Sequence, residues 1–393
     1  MNANLTFFPV GCGDMTLLRL ADSGSTTILI DCNIRAAADD PDDETRDVAA
    51  DLRARLPRDA DGRPYVDAFL LSHPDKDHCT GLENHFHLGP LADYADDDKP
   101  DEQKRIVIRE VWSSPIVFRR KSKSHPLCAD AQAFNREAKR RVKAFRSSEP
   151  LLEGDRILIL GEDIDGKTDD LTSILVRAGE TFQRVNGNHN AYFSALLLAP
   201  HPQGDEEEED LLSKNQSSTI LNFKIASSLT DLESCRFLAG GDAEVAVWER
   251  LWSRWGTTPE TLAYDVLLAP HHCSWHSLSW DSWSQLGEKA KVSADARSAL
   301  GQARFGAIVV ASSKPIREDD ADPPCIRAQR EYKAILSAAG GLFLCTGESP
   351  NTWAPEPLEI EITAAGAKKK AARVSAVSAV AAAAAPRAGT PWI

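Results

Sequence analysis

The chain reads as an α+β protein, on three observations. Apolar runs of strand length, such as residues 66–71, 217–225 and 264–269, stop abruptly at polar clusters. Between them, residues 47–56, 129–146, 243–255 and 328–339 space their apolar side chains as helices do. Gly, Asp, Asn and Pro mark the joints, as in Asn186-Gly187-Asn188. With 393 residues, 42 % hydrophobic and 26 % charged, the chain can bury a large core as one elaborated domain or two.

In order, residues 5–20 and 26–31 alternate as an opening hairpin, with Gly11 and Gly13 permitting a tight bend. A surface helix over 47–56 follows, entered and left by acidic loops. The strand at 66–71 ends in His73-Pro74-Asp75-Lys76-Asp77-His78-Cys79-Thr80-Gly81. Two imidazoles and two carboxylates in six residues are more than a solvated turn requires, and both groups bind zinc or manganese well. Residues 73, 75 and 77 alternate so that they can converge at a strand end, while His78 turns toward a second ion. His85 and His87 read as lining or satisfied surface histidines. A strand at 105–112 precedes a basic segment; short strands occupy 156–160, 173–177 and 193–198, and core strands 217–225 and 235–238. Asp242 stands at the end of the latter. The strand at 264–269 stops at Pro270-His271-His272, and strands at 305–312 and 341–345 close the fold.

His73-x-Asp75-x-Asp77-His78 after an apolar strand resembles the metallo-β-lactamase superfamily, in the variant with Asp for the usual second His. Within it the sequence is similar to the ComEC C-terminal metallohydrolase domain and to phosphorylcholine esterases. The likeness extends to Val10-Gly11-Cys12-Gly13-Asp14, Ile28-Leu29-Ile30-Asp31, Asn215-Gln216-Ser217-Ser218, Leu238-Ala239-Gly240-Gly241-Asp242 and Pro270-His271-His272-Cys273-Ser274. The resemblance implies an αββα sandwich of two mixed sheets with outer helices over residues 1–363. It also implies two divalent ions, Zn or Mn. His73 and Asp75 would hold one, Asp77, His78 and His272 the other, with Asp242 bridging, and a hydroxide between the ions would attack the substrate, so that Asp77 and His271 are the catalytic candidates. His271 would act as acid or substrate contact, although which of His271 and His272 is the ligand stays open. Asp14 and Asp31 are expected to orient ligand imidazoles. The third His motif of the superfamily is missing at Trp112-Ser113-Ser114-Pro115, leaving the first ion fewer protein ligands.

The formal net charge of -14 argues against a surface that binds nucleic acid everywhere. Residues 119–146 nevertheless hold ten Lys or Arg against Asp130 and Glu137. This basic helical insertion near 115–148 is expected to meet a nucleic acid or nucleotide through Arg119, Arg120, Lys139, Arg140 and Arg141. Acidic runs at 39–44, 96–102 and 205–210 read as solvated loops. Residues 364–393, rich in Ala and Lys, read as a disordered tail open to a protein partner or polyanion. The eight cysteines form no CxxC pair and read as reduced thiols, with Cys79 and Cys273 packing beside ligands. No apolar stretch reaches membrane-spanning length and the N-terminus shows no export pattern, so a cytoplasmic location is expected.

The expected activity is metal-dependent hydrolysis of phosphodiester bonds, a nuclease or phosphodiesterase. Hydrolysis of a small lactone or phosphorylcholine-type ester, and a metal-depleted scaffold, are the alternatives.

Overall fold

The computed structural model describes residues 2–40, 43–124, 126–147, 150–201 and 214–371. The acidic run at 205–210 and the tail from 372 onward lie outside the described residues.

Two large mixed sheets carry the chain. The first contains β1 (Ala3–Phe7), β2 (Thr16–Arg19), β3 (Thr27–Ile30), β4 (Tyr65–Leu70), β5 (Phe86–His87), β6 (Ile106–Ser113), β7 (Arg156–Leu160) and β8 (Leu175–Val176). The second contains β9 (Thr181–Phe182), then, beyond a small hairpin of β10 (Arg184–Val185) and β11 (Asn188–His189), β12 (Phe193–Ala199), β13 (Ile220–Ile225), β14 (Cys235–Ala239), β15 (Tyr264–Leu268), β16 (Ala303–Ala311) and β17 (Leu342–Cys345). The chain then returns to the first sheet as β18 (Leu358–Thr363) and β19 (Gly366–Lys369), giving the order β19-β18-β1-β2-β3-β4-β6-β7-β8 with β5 beside β6. In the second sheet the order is β17-β16-β15-β14-β13-β12-β9.

The strands are apolar nearly throughout because both faces of each sheet are covered. Phe7, Leu18, Ile28, Leu70 and Trp112 of the first sheet form one cluster with Leu197, Phe223, Phe237, Val266 and Ile308 of the second. On the outer faces, helices Val48–Arg53 and Ala129–Arg146 pack on the first sheet, and helices Val245–Trp255, Ala294–Leu300 and Ile326–Ala339 on the second. The result is an α+β sandwich of two mixed sheets with outer helices.

Two expectations are corrected. The hairpin β18–β19 pairs Ile362 with Ala367 and Glu361 with Lys368, so residues 364–369 belong to the first sheet. Gly366, at φ 96°, makes that turn. The tail therefore begins later than composition suggests.

The basic segment is also more than an appended insertion. β6 and β7 are parallel neighbours, and parallel strands need a crossover, which helices Pro115–Ser124 and Ala129–Arg146 supply. The buried face of the second helix contains Phe134 and Ala138 but also Glu137 and Arg141, 4 % and 1 % exposed. Arg141 donates to Glu137 and to the carbonyl oxygens of Ile108, Arg109 and Arg156, stitching the helix to β6 and β7. Arg140 pairs with Glu137 and Asp155 at 2.7 and 2.6 Å. Arg119 pairs with Asp163 at 2.8 Å, and the buried Arg120 donates to the carbonyl of His201. These four expected substrate contacts are committed to the protein itself, because a guanidinium entering a core must satisfy its donors there. Lys139 stays exposed and lines a cavity of about 680 Å³ with Phe118, Arg119 and Val142.

Arg141→Ala removes one of the two guanidinium partners of buried Glu137 and the donors to the carbonyls of Ile108, Arg109 and Arg156, and is expected to destabilise the chain by about 3–5 kcal/mol in urea unfolding. Burial raises the Glu137 carboxyl, but the hydrogen bond from Arg140 and the charge of Arg141 outweigh it and hold it below its ordinary 4.5. A carboxylate depressed in this way contributes stability above its unfolded value and loses it as pH falls through the folded one. Wild-type stability should therefore drop below about pH 4.5 more steeply than that of Glu137→Gln, compared by chemical denaturation across pH.

Candidate metal centre

Four strand ends meet at one edge of the sandwich. β3 delivers Asp31, β4 delivers Ser72 and His73, β14 delivers Asp242 and β15 delivers His271 and His272. Asp14 arrives on the loop between β1 and β2, and the short helix Lys76–Cys79 carries Asp77 and His78. Backbone bonds tie these ends together: Asp31 N donates to Leu70 O, Thr219 N to Ser72 O and His271 N to Gly241 O, at 2.8, 2.9 and 3.0 Å. The Thr219–Ser72 bond joins one sheet to the other beside the site. Ser312 Oγ, beyond β16, donates to Gly13 O at 2.6 Å.

Two glycines allow the close approach. At Gly13, φ 154°, a Cβ would overlap the Asn33 side chain and come within 2.7 Å of Asp77 O, while Asp14 N donates to that same oxygen at 3.2 Å. At Gly241, φ 49°, a Cβ would meet Ser72 Oγ at 2.9 Å. Neither space admits another residue without displacing a ligand-bearing loop.

Asp242 is the centre, its side chain only 3 % exposed. Its Oδ1 faces His78 Nε2 at 3.0 Å and His272 Nε2 at 3.5 Å. Its Oδ2 faces His73 Nε2 at 3.6 Å and His271 Nε2 at 3.7 Å. Asp75 Oδ2 lies 3.7 Å from His73 Nε2, and Asp77 Oδ2 lies 3.3 Å from His272 Nε2. The Nε2 atoms of His73, His78 and His272 and Asp242 Oδ1 are buried and make no directed hydrogen bond. Atoms that converge this closely without bonding one another surround a point, and among stable arrangements that is what a cation's ligands do.

The outer ring nitrogens have partners. Asp31 Oδ2 accepts from His78 Nδ1 at 2.8 Å and from Ser72 Oγ at 2.6 Å, while its Oδ1 accepts from Ser72 N at 2.7 Å. Ser72 Oγ is also 3.1 Å from His73 Nδ1. Asp31 thus holds the His78 ring with Nε2 inward. Asp14, equally buried, stands 3.4 Å from His272 Nδ1 and 3.9 Å from His78 Nδ1. Its carboxylate oxygens lack directed hydrogen bonds, and Asp14, His78, Asp242 and His272 together can hold a metal ion. The sequence reading, which gave Asp14 an orienting role alone, did not include it in a ligand group.

Electrostatics follow from this crowding. Burial acts to lower His78 and His272, but Asp242, with Asp31 beside the first and Asp14 beside the second, holds both well above the ordinary histidine value. His73 goes down, through burial and then the charge of His78. Burial pushes Asp77 up, but His272, whose Nε2 is 3.3 Å away, and the charge of His78 hold it below the usual carboxylate range. The cluster draws positive charge, whether protons or a metal.

The local backbone is strained. His271, His272 and Cys273 take φ of 50°, 53° and 70°, three consecutive non-glycine residues in the left-handed region, each costing about 1–3 kcal/mol. Pro270 ends β15, and the left-handed turn then aims both imidazoles back at Asp242. Cys79 and Cys273 are buried behind the ligands; Cys79 Sγ donates to Asp75 O at 3.1 Å and lies 3.5 Å from Cys128 Sγ.

Among the described residues, His85, His87 and His276 lie apart from the centre. His85 is 3.2 Å from Arg53 and His87 Nε2 donates to Pro90 O at 2.9 Å; both are buried rather than at the surface, through packing under the crossover. His276 sits in the short 3-10 helix Trp275–Ser277, half-buried and 3.8 Å from Asp322. The cavity that Lys139 and Arg119 line includes none of the centre's residues.

Asp31→Ala would leave Ser72 N and His78 Nδ1 buried without an acceptor. The expected loss is about 1–3 kcal/mol in thermal or chemical unfolding, with metal affinity falling about 10- to 100-fold in a chelator competition.

No family model matches the chain, and no curated protein matches it.

Proposed function

We propose that the chain is a metal-dependent hydrolase of the metallo-β-lactamase type, holding two divalent ions, Zn or Mn, at the strand ends. One observation carries the reading: the two oxygens of buried Asp242 each face two imidazole Nε2 atoms. His73, Asp75 and Asp242 Oδ2 would hold the first ion, and Asp77, His78, His272 and Asp242 Oδ1 the second. A carboxylate bridge suits ions about 3.5–4 Å apart. Divalent ions there supply Lewis acidity and lower the pKa of water.

The chain's own groups set the rest. Asp31 fixes the His78 tautomer with the proton on Nδ1, leaving Nε2 inward. Asp77, 40 % exposed, is the carboxylate of the centre that reaches solvent most, so it stands where substrate enters. Held below the usual carboxylate range, it is a weak base and stays ionised, as a carboxylate that ligates a cation must. His271, 14 % exposed, also borders the open side.

The reaction class is hydrolysis of a phosphodiester, with nucleic acid or a nucleotide as the substrate class. The internal partners of Arg119, Arg120, Arg140 and Arg141 leave Arg136, Lys139, Lys143 and Arg146 as the exposed cations among the segment's described residues, and this smaller basic face favours the second reading, a small ester such as a lactone or phosphorylcholine. No helix among the described residues is long and apolar enough to cross a membrane.

The test combines metal analysis with turnover. Purified chain should carry or take up two equivalents of Zn or Mn and hydrolyse bis(p-nitrophenyl) phosphate. Asp242→Ala should lose both ions, and Asp77→Ala should lose activity by two or more orders of magnitude. Wild-type protein that takes up no divalent ion would refute the reading. Salt separates the substrates: cleavage of DNA or RNA that relies on phosphate contacts should weaken steeply between about 50 and 200 mM salt, whereas small-ester turnover should hardly change.

A further inference from the structure

The four imidazoles of the centre share one plan. Each turns Nε2 toward Asp242 and Nδ1 outward: those of His73 and His78 are hydrogen-bonded to Ser72 Oγ at 3.1 Å and Asp31 at 2.8 Å, while His272 Nδ1 lies 3.4 Å from Asp14 and His271 Nδ1 4.0 Å from Glu244 Oε1 without a directed bond. An oxygen behind Nδ1 and a lone pair presented at Nε2 is how a metal-ligating histidine is held. His271 Nε2 accepts from Asn215 Nδ2 at 3.3 Å, which puts the ring proton on Nδ1, and this bond must give way for Nε2 to ligate an ion.

The distances put His271 with the first ion rather than with substrate alone. His73 Nε2 is 3.6 Å from Asp242 Oδ2 and 3.7 Å from Asp75 Oδ2, and His271 Nε2 is 3.7 Å from that same Asp242 oxygen. Ligand atoms about 2.0–2.1 Å from a tetrahedral ion are separated by about 3.4 Å, and the three spacings, 3.6, 3.7 and 3.7 Å, lie close to that value. The left-handed turn is the device that divides the pair. With consecutive φ of 50° and 53°, His271 goes to Oδ2 and His272 to Oδ1, which an extended dipeptide, sending neighbouring side chains to opposite faces, does not achieve.

We propose that His271 is a metal ligand, completing the first ion's shell with His73, Asp75 and Asp242 Oδ2 in place of the histidine that the segment after β6 does not supply. In that segment Ser113 and Ser114 are buried and Trp112 points into the intersheet core. The inference rests on the two-metal reading above and replaces the substrate-contact role expected for His271.

The experiment measures metal, not only turnover. Full-length wild type, His271→Asn, His271→Asp and, as a control, His276→Asn are loaded with Zn, checked for folding by circular dichroism, and assayed for bound metal against a graded chelator. Asn and Asp are chosen because both tolerate the left-handed backbone. The wild type and the His276→Asn control should hold two ions. His271→Asn should keep one tight ion and lose the other, with a weakening beyond the ~10–100-fold that removal of an outer partner causes. His271→Asp should recover part of it, and the visible spectrum of the Co-loaded protein should change for one ion only. Two ions held by His271→Asn at wild-type affinity, with hydrolysis alone impaired, would overturn the proposal and return His271 to the substrate. Fewer than two ions in the wild type would instead overturn the two-metal reading on which it stands.

Discussion

Burying a carboxylate among other carboxylates is the constraint that organises this molecule. Asp242 is almost out of contact with water, and Asp14 and Asp31, both buried, crowd the same strand ends. An ionised carboxylate in such a place costs several kcal/mol unless positive charge comes with it. Four imidazoles face it among the described residues, and a neutral imidazole brings no charge. Either His78 and His272 take protons or a cation takes their place. The fold accepts three left-handed residues in a row at 271–273 to keep the second arrangement geometrically open. Strain of that kind survives only where the surroundings over-determine it, and here Gly241 O, Asp242 and the end of β15 do so.

The sandwich explains why the ends meet. In the parallel run β3-β4-β6-β7 of one sheet and β14-β15-β16-β17 of the other, carboxyl ends point the same way within each run. The bond from Thr219 N to Ser72 O brings the two sets together. Each sheet then contributes half of the centre: His73, Asp75, Asp77 and His78 come from the first, Asp242, His271 and His272 from the second. A centre assembled this way depends on intersheet packing, so Trp112, Phe193 and Phe237 in the shared core position ligands that they never touch.

What the sequence reveals depends on how local the physics is. His73, Asp75, Asp77 and His78 are legible because six consecutive residues declare them, and the α+β class and most strands follow from apolar runs covered on both faces. Asp242, His271 and His272 need the order of motifs along the chain. Asp14 in a ligand-capable group is not legible, because only Gly13's approach to Asp77 O brings it there. The β18–β19 hairpin escapes notice because Ala and Lys weigh toward a tail, whereas pairing with Leu358–Thr363 decides otherwise. The cations at 119–141 show the deepest limit. Composition counts charges, but whether a guanidinium meets solvent or a backbone carbonyl is decided by tertiary packing.

That last point changes how the crossover should be understood. A helix that buries Arg141 against three carbonyls of β6 and β7 acts as a splint across two strands, the first of which is β4's parallel neighbour. Its N-terminal end reaches the centre directly: Asp130 accepts from Gly81 N and Glu83 N, just past the helix that carries Asp77 and His78. Asp130 therefore fixes the loop leaving the ligand helix, while Arg141 fixes the strands beneath it. Of the charges that look like a binding surface in the sequence, Arg141 thus serves the packing of β6 and β7, whereas Arg136, Lys139, Lys143 and Arg146 stay at the surface.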